Sequence, residues 1–245
     1  MIIHNQVHDI PTPTGVMRTK VYKPQEQSTY PAIVFYSEIF QLTAPIERTA
    51  ATLAGHGFVV LVPEVFHELN PIGTVLGYDD AGKDKGNQDK WTKPLEHHDS
   101  DTQAMVEFIT SQDYCTGKIG VMGVCIGGHL AYRAALNEHV LAACCLYATD
   151  IHSDTLPCEK GNDSFTRTKD IKAELQMIWG KQDPHVPDEG RMKIHLNLIA
   201  SGNTFTWHEF NAQHAFMRDE GDRFDPALAM RVYGMAVELF NRTLS

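Results

Sequence analysis

The sequence predicts an α/β fold with a mainly parallel central sheet and helices on both faces. Short apolar runs alternate with segments of helical periodicity, which is the pattern of successive strand–helix units. No internal repeat or low-complexity segment breaks this alternation. The chain has 245 residues, enough to bury a large core without a disulfide or a metal. We therefore expect a single domain over residues 1–245.

Six apolar runs are the candidate strands. One of them, FVVLV, is apolar throughout, as expected of a parallel strand that is covered on both faces. The last run alternates more between apolar and polar residues, which fits a strand nearer the sheet edge. The candidates are residues 33–36, 58–62, 119–122, 141–147, 175–179 and 204–210.

Helical patterns separate these runs. The first spans residues 45–54 and ends at the glycines of GHGF. The last begins at Asp225 and Pro226, a good N-cap and first-turn pair. Two further helices are indicated by apolar residues at helical spacing: Met105, Phe108 and Ile109, and Met192, Leu196 and Ile199. Polar segments at about 67–93 and 150–169 are predicted to be long loop insertions.

The composition excludes several classes of protein. A formal net charge of −10 argues against nucleic-acid binding, although a local arginine can still bind a small anion. No apolar run is long enough to span a membrane, and the first residues lack the features of a signal peptide. The five cysteines, with Cys144 and Cys145 adjacent, do not suggest a disulfide framework. We expect a cytoplasmic monomer or weak homodimer without a metal or cofactor.

One thiol lies in a glycine-rich turn, in the segment GVMGVCIGG. Cys125 falls between a strand pattern and a helix pattern, and a sharp turn there strains the backbone of its tip residue. The positions two residues before and after must then be small, and they are Gly123 and Gly127. This G-x-C-x-G pattern is a nucleophile elbow with sulfur in place of the serine oxygen. A helix N-terminus also favours the reactive thiolate.

Two other interpretations of this segment stay open when it is considered alone. Cys125 could be a buried small apolar residue at a tight corner, since cysteine is among the most buried residue types. The turn could instead bind phosphate, although it matches neither G-x-x-x-x-G-K-S/T nor a clean G-x-G-x-x-G.

A nucleophile at such an elbow requires an acid and then a histidine, each after a later strand. Asp183 follows the run at 175–179, and His214 follows the run at 204–210. His214 would carry the proton between the thiol and the leaving group, and Asp183 would orient the imidazole. The oxyanion would be held by the amide of Ile126 and by an amide in the earlier segment SEIFQL.

These residues make the chain resemble the dienelactone hydrolases, a branch of the α/β-hydrolase fold with a Cys-Asp-His triad. The resemblance covers nearly the whole chain, from YPAIVFYSEIFQL through GVMGVCIGGHLAYRAA and WGKQDPHVP to FNAQHAFMRDEG. It implies that Glu38 contacts the resting thiol and leaves it when substrate binds. It also implies that Ile39 supplies the second oxyanion amide and that Arg218 binds a substrate carboxylate.

The chain departs from the family where a second carboxylate-binding arginine is expected. Only Lys83, Lys85 and Lys90 occur in that segment, and a lysine cannot form the same bidentate pair with a carboxylate. We expect these three lysines to lie on the surface. The departure leaves the identity of the substrate open.

The sequence thus favours a cysteine-dependent carboxylic ester hydrolase of the carboxymethylenebutenolidase type, which forms a covalent acyl-enzyme on a small, anionic ester or lactone. Alternatives are a hydrolase of another ester or thioester, and a non-catalytic binder of small ligands with the same fold. A metal-dependent hydrolase is suggested by EHHD at residues 96–99. However, adjacent histidines point to different faces of a helix, unlike those of H-E-x-x-H.

Overall fold

The computed structural model describes residues 1–153, 155–156 and 163–245. The described strands are β1 (Ile3–Thr12), β2 (Gly15–Pro24), β3 (Tyr30–Tyr36), β4 (Val59–Pro63), β5 (Cys115–Val124), β6 (Val140–Leu146), β7 (Glu174–Gly180) and β8 (Phe205–Phe210). They form one sheet in the order β1-β2-β4-β3-β5-β6-β7-β8. β2 is antiparallel to β1 and β4, and the other neighbours are parallel. The predicted mainly parallel sheet is confirmed.

The described helices are α1 (Ala44–Ala54), α2 (Asp80–Thr92), α3 (Leu95–Thr110), α4 (Ile126–Ala134), α5 (Asp188–Ser201) and α6 (Pro226–Thr243), with a 3-10 turn at Thr166–Asp170. Each of the six predicted strands is present with shifted ends, as are the helices predicted around residues 45–54, 105–109, 192–199 and from 226. The Asp225 side chain accepts from the Leu228 amide at 2.9 Å and caps α6. No described helix is both long and apolar enough to cross a membrane.

The hairpin formed by β1 and β2 was not predicted. Most side chains of β1 are exposed, and the exposed ones are mainly polar, so the strand shows no apolar alternation. β2 does carry a signal, because Met17, Thr19 and Val21 are buried at every second position. Since β2 is antiparallel to β4, the exposed connection between β2 and β3, at residues 25–29, lies at the amino end of the parallel strands.

The prediction that residues 67–93 form a loop is wrong for their second half, which is helix α2. The Asp79 carboxylate accepts from the Gly82 amide at 2.8 Å and begins this helix. The buried residues of α2 are glycines and charged residues, namely Gly82, Gly86, Asp89 and Lys90. The sequence therefore has no hydrophobic stripe from which this helix could be predicted. In the other predicted insertion, residues 154 and 157–162 lie outside the described residues, and the 3-10 turn occupies its end.

Helix α5 has its predicted apolar residues on the side that faces solvent. Ile194 and Leu198 pack into the core, whereas Met192, Leu196 and Ile199 are exposed.

The core consists of two apolar clusters, one on each face of the sheet. Successive strand residues point to opposite faces, so Val121 belongs to one cluster and Met122 to the other. Cys125 is half-buried and packs against both clusters. It therefore lies at the carboxyl end of the central strand β5, where ligand sites of parallel sheets gather.

Candidate active site

The turn between β5 and α4 holds Cys125 in an unusual backbone conformation, with φ 61° and ψ −124°. Its amide donates to the Leu146 carbonyl at 3.1 Å, and its carbonyl accepts from the amides of Gly128 and Thr149 at 3.0 and 3.3 Å. These bonds tie the turn to the end of β6. Cys125 stands at the N-terminus of α4, where the helix dipole favours a negative charge.

The two flanking glycines are needed because the backbone passes close to them. A Cβ atom on Gly123 would lie 1.8 Å from the Gly127 carbonyl oxygen. A Cβ on Gly127 would lie 2.2 Å from the Tyr36 carbonyl oxygen, at the end of β3. No side chain fits at either position, so the G-x-C-x-G spacing follows from the sharpness of the turn.

His214 and Asp183 meet as the sequence predicts. The His214 Nδ1 lies 2.7 Å from Asp183 Oδ2, and both side chains are buried. The other oxygen, Asp183 Oδ1, accepts from the His185 amide at 2.8 Å, which fixes the orientation of the carboxylate. Cys125 lies close enough to His214 for its charge to act on the imidazole. The three predicted residues thus form one connected group.

Charge within this group favours a protonated His214. Burial opposes the charge, but the negative charges of Cys125 and Asp183 outweigh it and raise the pKa of His214 to about 10. Burial likewise acts to raise the pKa of Asp183, and the hydrogen bond and positive charge of His214 hold it below its ordinary value. His214 is therefore suited to carry a positive charge beside the Asp183 carboxylate.

Two rings that were not predicted pack edge-to-face against His214. The Tyr147 ring lies 5.1 Å from it and the His185 ring 4.6 Å, between centroids. Tyr147 has φ 36°, a strained value for an aromatic residue, at the carboxyl end of β6. Burial and the charge of His214 lower the pKa of the half-exposed His185. The position of His185, two residues after Asp183, was the available sequence signal.

Two backbone amides are available for an oxyanion. Ile39 follows the end of β3, and Ile126 is the first residue of α4. Neither amide donates to another described residue. Gly86 of α2 packs closely on Ile39, since a Cβ atom at Gly86 would lie 2.7 Å from the Ile39 carbonyl oxygen. Both residues predicted to form the oxyanion hole are thus placed beside the elbow by neighbouring parallel strands.

Glu38 is buried, and its carboxylate faces Arg218 rather than bonding to the thiol. Its Oε2 lies 3.7 Å from a terminal nitrogen of Arg218 and has no hydrogen-bond partner among the described residues. Burial raises the pKa of Glu38, and the charges of Arg218 and His214 offset part of that effect. A regulating role for Glu38 stays a prediction.

Arg218 lies over an aromatic floor. Its guanidinium carbon is 4.3 Å from the centroid of Tyr78 and 5.8 Å from that of Phe40. The Nε of Arg218 is buried and has no hydrogen-bond partner in the described part of the chain. The side chain therefore keeps a donor that a substrate oxygen could accept from.

The prediction that Lys83, Lys85 and Lys90 lie on the surface is wrong for Lys90. Lys83 is exposed and Lys85 is partly exposed, and each pairs with an acidic residue of α2. Lys90 is buried, lies 3.0 Å from Asp150 after β6, and interacts electrostatically with His185. Only the packing of α2 against neighbouring segments of the chain reveals this, because a lysine in a polar segment carries no burial signal.

The EHHD segment lies in the first turns of α3. His97 bonds to Glu68 at 2.7 Å, and His98 is buried against Phe66. Among the described residues, no three His, Cys, Asp or Glu side chains converge as metal ligands would.

The sequence is similar to known hydrolases. A sequence profile described as the dienelactone hydrolase family matches residues 17–244. The chain is 39% identical to the "Putative carboxymethylenebutenolidase" of Saccharomyces cerevisiae over 257 aligned positions, which cover 100% of this chain and 93% of the relative. It is 25% identical to a carboxymethylenebutenolidase from a Pseudomonas species, covering 86% of this chain and 84% of that protein.

The fold is also found among solved structures. One is the crystal structure of a "Putative Dienelactone Hydrolase" from Klebsiella pneumoniae, with a TM-score of 0.87 and 18% identity. The match covers 99% of this chain and 100% of that one. At this identity the likeness establishes the shared α/β-hydrolase fold.

Proposed function

The chain belongs to the dienelactone hydrolase family and is a hydrolase of the ester or lactone class, and we propose that Cys125, His214 and Asp183 carry out its reaction through an acyl-enzyme. The supporting observation is the connected group at the carboxyl edge of the sheet. In it, a thiol on a strained elbow lies near a histidine that is 2.7 Å from a buried carboxylate.

In the first half of the proposed reaction, the Cys125 thiolate attacks the carbonyl carbon of the ester or lactone. The carbonyl oxygen becomes an oxyanion, and the unpaired amides of Ile39 and Ile126 donate to it. One such donor contributes about 3 kcal/mol of barrier lowering. The tetrahedral intermediate then collapses, the C–O bond breaks, and the His214 imidazolium gives its proton to the leaving oxygen.

In the second half, water hydrolyses the thioester on Cys125. The now neutral His214 takes one proton from the water, and the resulting hydroxide attacks the thioester carbonyl. The C–S bond breaks and the thiolate leaves, so the imidazolium–thiolate pair is restored. Asp183 stays ionised throughout and holds the Nδ1–H of His214.

We assign to Arg218 the carboxylate of an anionic substrate. Its unpartnered Nε and its position over Tyr78, next to Glu38, support this assignment. A substrate carboxylate at Arg218 would compete with Glu38 for the guanidinium. Lys90 adds a second cation near His185.

The decisive experiment compares wild type with Cys125→Ala on p-nitrophenyl esters and unsaturated lactones. We expect at least about 10³-fold lower turnover in the variant. Cys115→Ala, which removes a half-buried thiol outside this group, is the matched control and should retain full activity. Undiminished turnover in Cys125→Ala would refute the assignment, and wild type inactive on every substrate would favour the non-catalytic ligand binder.

Substrate charge is tested separately with Arg218→Gln. We expect KM for anionic esters to rise at least about tenfold, since a charge-assisted pair is lost, while neutral esters change little. An equal change in KM for anionic and neutral esters would show that Arg218 does not bind the substrate carboxylate. Thioesters in the same panel distinguish the remaining substrate alternative.

The location of the protein in the cell belongs to the same proposal. The four cysteines of the described residues are all unpaired, and one of them is the proposed nucleophile. A reducing compartment such as the cytoplasm would keep that thiol active.

A further inference from the structure

The segment that carries Arg218 is rich in acidic residues. It reads RDEGDRFD over residues 218–225, so Asp219 and Glu220 directly follow the arginine that is proposed to bind the substrate carboxylate. Negative charges beside a cation weaken its attraction for an anion. These two carboxylates must therefore be offset if Arg218 is to bind an anionic substrate.

The backbone of this segment turns back over the Arg218 side chain. A Cβ atom at Gly221 would lie 3.1 Å from the Nε of Arg218 and 3.4 Å from one of its terminal nitrogens. The Arg218 guanidinium lies over the Tyr78 ring. Burial raises the pKa of Tyr78, and the negative charges of Glu38 and Glu220 add to this effect. The charge of the segment thus acts where the substrate carboxylate is proposed to bind.

Arg48 of helix α1 pairs with both carboxylates. Its Nε donates to Asp219 Oδ2 at 2.7 Å, and one terminal nitrogen donates to Asp219 Oδ1 at 2.6 Å and to Glu220 Oε1 at 2.7 Å. Among the described residues, no other cation forms an ion pair with either carboxylate. An exposed ion pair usually contributes little, but a bidentate arginine shared by two carboxylates is an exception.

Helix α1 holds Arg48 on a fixed support. The helix packs into the core through Ile46 and Leu53. The hydroxyl of the next residue, Thr49, lies 2.9 Å from the hydroxyl of Tyr233 on α6. The Arg48 guanidinium therefore reaches the acidic segment from a separate element, 171 residues away in the sequence.

We propose that Arg48 sets the preference of the site for anionic substrates, because it neutralises Asp219 and Glu220 and leaves Arg218 available to the substrate carboxylate. The inference rests on the proposed role of Arg218. Arg48 is a positioning residue, since it acts through the two carboxylates and not on the substrate. Without Arg48, these carboxylates would repel an anionic substrate and would compete with it for the Arg218 guanidinium.

The test compares Arg48→Gln with wild type on two p-nitrophenyl esters of the same chain length, the anionic glutarate monoester and the neutral pentanoate. The measured quantity is kcat/KM for the anionic ester divided by kcat/KM for the neutral ester, because a general loss of activity would not change this ratio. We expect the ratio to fall about three- to fivefold through KM, which is the size of effect that charges at a partly exposed site produce.

Alkylation of the thiol gives the same comparison without turnover. Iodoacetate and iodoacetamide are alike in size, and only iodoacetate is anionic. In Arg48→Gln, we expect the rate of Cys125 alkylation by iodoacetate, relative to that by iodoacetamide, to fall by a similar factor. Peptide mass spectrometry measures both rates at Cys125.

Removing the two carboxylates as well should reverse the effect. Arg48→Gln combined with Asp219→Asn and Glu220→Gln has neither the cation nor the two anions, so its ratio should return to at least the wild-type value. A purely structural link would not be rescued in this way, because the triple variant has lost the same ion pairs.

Arg242→Gln is the matched control. It breaks another exposed bidentate pair, in which two guanidinium nitrogens each lie 2.7 Å from a carboxylate oxygen of Glu174. Glu174 begins β7 and so lies at the amino end of the parallel strands, away from the proposed catalytic group. Its loss should leave the ratio unchanged.

An unchanged ratio in Arg48→Gln, or a triple variant that stays as low as Arg48→Gln, would overturn the proposal. An equal fall in Arg242→Gln would also overturn it. Arg218→Gln is measured alongside, to separate this inference from the proposed function. If Arg218→Gln leaves the ratio unchanged, both the role of Arg218 and that of Arg48 are refuted; if it lowers the ratio and Arg48→Gln does not, only the role of Arg48 is refuted.

Discussion

Cys125 has a positive φ that costs about 1–3 kcal/mol in a residue with a Cβ. The cost is met by packing on both sides of the sheet and by the backbone bonds to β6. The sequence predicts that Cys125, Asp183 and His214 lie together because each comes shortly after a strand, and strand ends of a parallel sheet meet at one edge. It cannot predict where the Glu38 side chain points, because that depends on how the loop carrying Arg218 folds back.

Asp183→Asn tests the proposed electrostatics. The amide cannot stabilise the imidazolium, so we expect the pKa of His214 to fall from about 10 toward its ordinary value. Turnover should drop by about 10³- to 10⁴-fold. NMR titration of the His214 nitrogens measures the first effect and ester kinetics the second. Asp80→Asn, at an exposed position, should change neither, and an unshifted His214 titration in Asp183→Asn would contradict this account.

Helix α2 is the element that the sequence conceals. It docks through Gly86, Asp89 and Lys90, and residues of these types are ordinarily read as loop or surface. Yet this helix covers the Ile39 segment and brings a buried cation near His185. The position of α2 beside the site depends on tertiary packing, and the spacing of apolar residues in the sequence does not predict it.

Gly86→Ala should displace α2 from Ile39. The new Cβ would meet the Ile39 carbonyl oxygen at 2.7 Å and its Cβ at 2.9 Å. A shifted oxyanion donor should lower kcat by about ten- to 10²-fold, while alkylation of Cys125 by iodoacetamide proceeds at the wild-type rate. Gly234→Ala in α6, where a Cβ meets nothing within 4 Å, is the matched substitution and should leave kcat unchanged.

Lys93 connects α2 to α3 and should be essential for stability. It is fully buried, and its ammonium donates to the Val65 carbonyl at 2.8 Å and contacts Glu68 at 3.1 Å, and also Asp101. Lys93→Met would leave these carboxylates buried without their cation, so we expect a loss of about 3–5 kcal/mol in the free energy of unfolding. Urea titration against the exposed Lys83→Met measures it; similar values for the two variants would show that the network contributes little.

The whole molecule has the predicted mainly parallel α/β architecture. The differences from the prediction lie at the periphery, in the β1–β2 hairpin and on the exposed side of α5. The central strands were predicted because they are continuously apolar and covered on both faces. Strand β1 was missed because an exposed edge leaves polar residues in place of the apolar alternation. The exposure of the apolar residues on α5 was missed for a different reason. The spacing of apolar residues indicates a helix with an apolar side, but it does not show whether that side faces the core or the solvent.

Buried histidines should make the fold sensitive to acid. Burial lowers the pKa of His129 to about 4 and that of His98 well below its ordinary value of about 6.5. Between these limits the unfolded chain binds more protons than the folded one. The stabilising contribution is therefore complete above about pH 6.5 and is lost as the pH falls toward 4.

The measurement is the free energy of unfolding in urea from about pH 7.5 to about pH 5. His129→Leu should show a weaker dependence on pH than wild type, because one of the buried neutral rings is gone. His56→Leu, at an exposed position, should follow wild type. Parallel curves for all three proteins would mean that His129 titrates alike in both states.

The reversed direction of β2 has a practical consequence for handling the enzyme. It puts the exposed connection at residues 25–29 at the amino end of the parallel strands, whereas Cys125, Asp183 and His214 all follow their carboxyl ends. An affinity peptide inserted in that connection would attach the protein to a solid support by the end remote from the proposed catalytic group. Immobilised in this orientation, the catalyst would present its substrate entrance to the flowing solution.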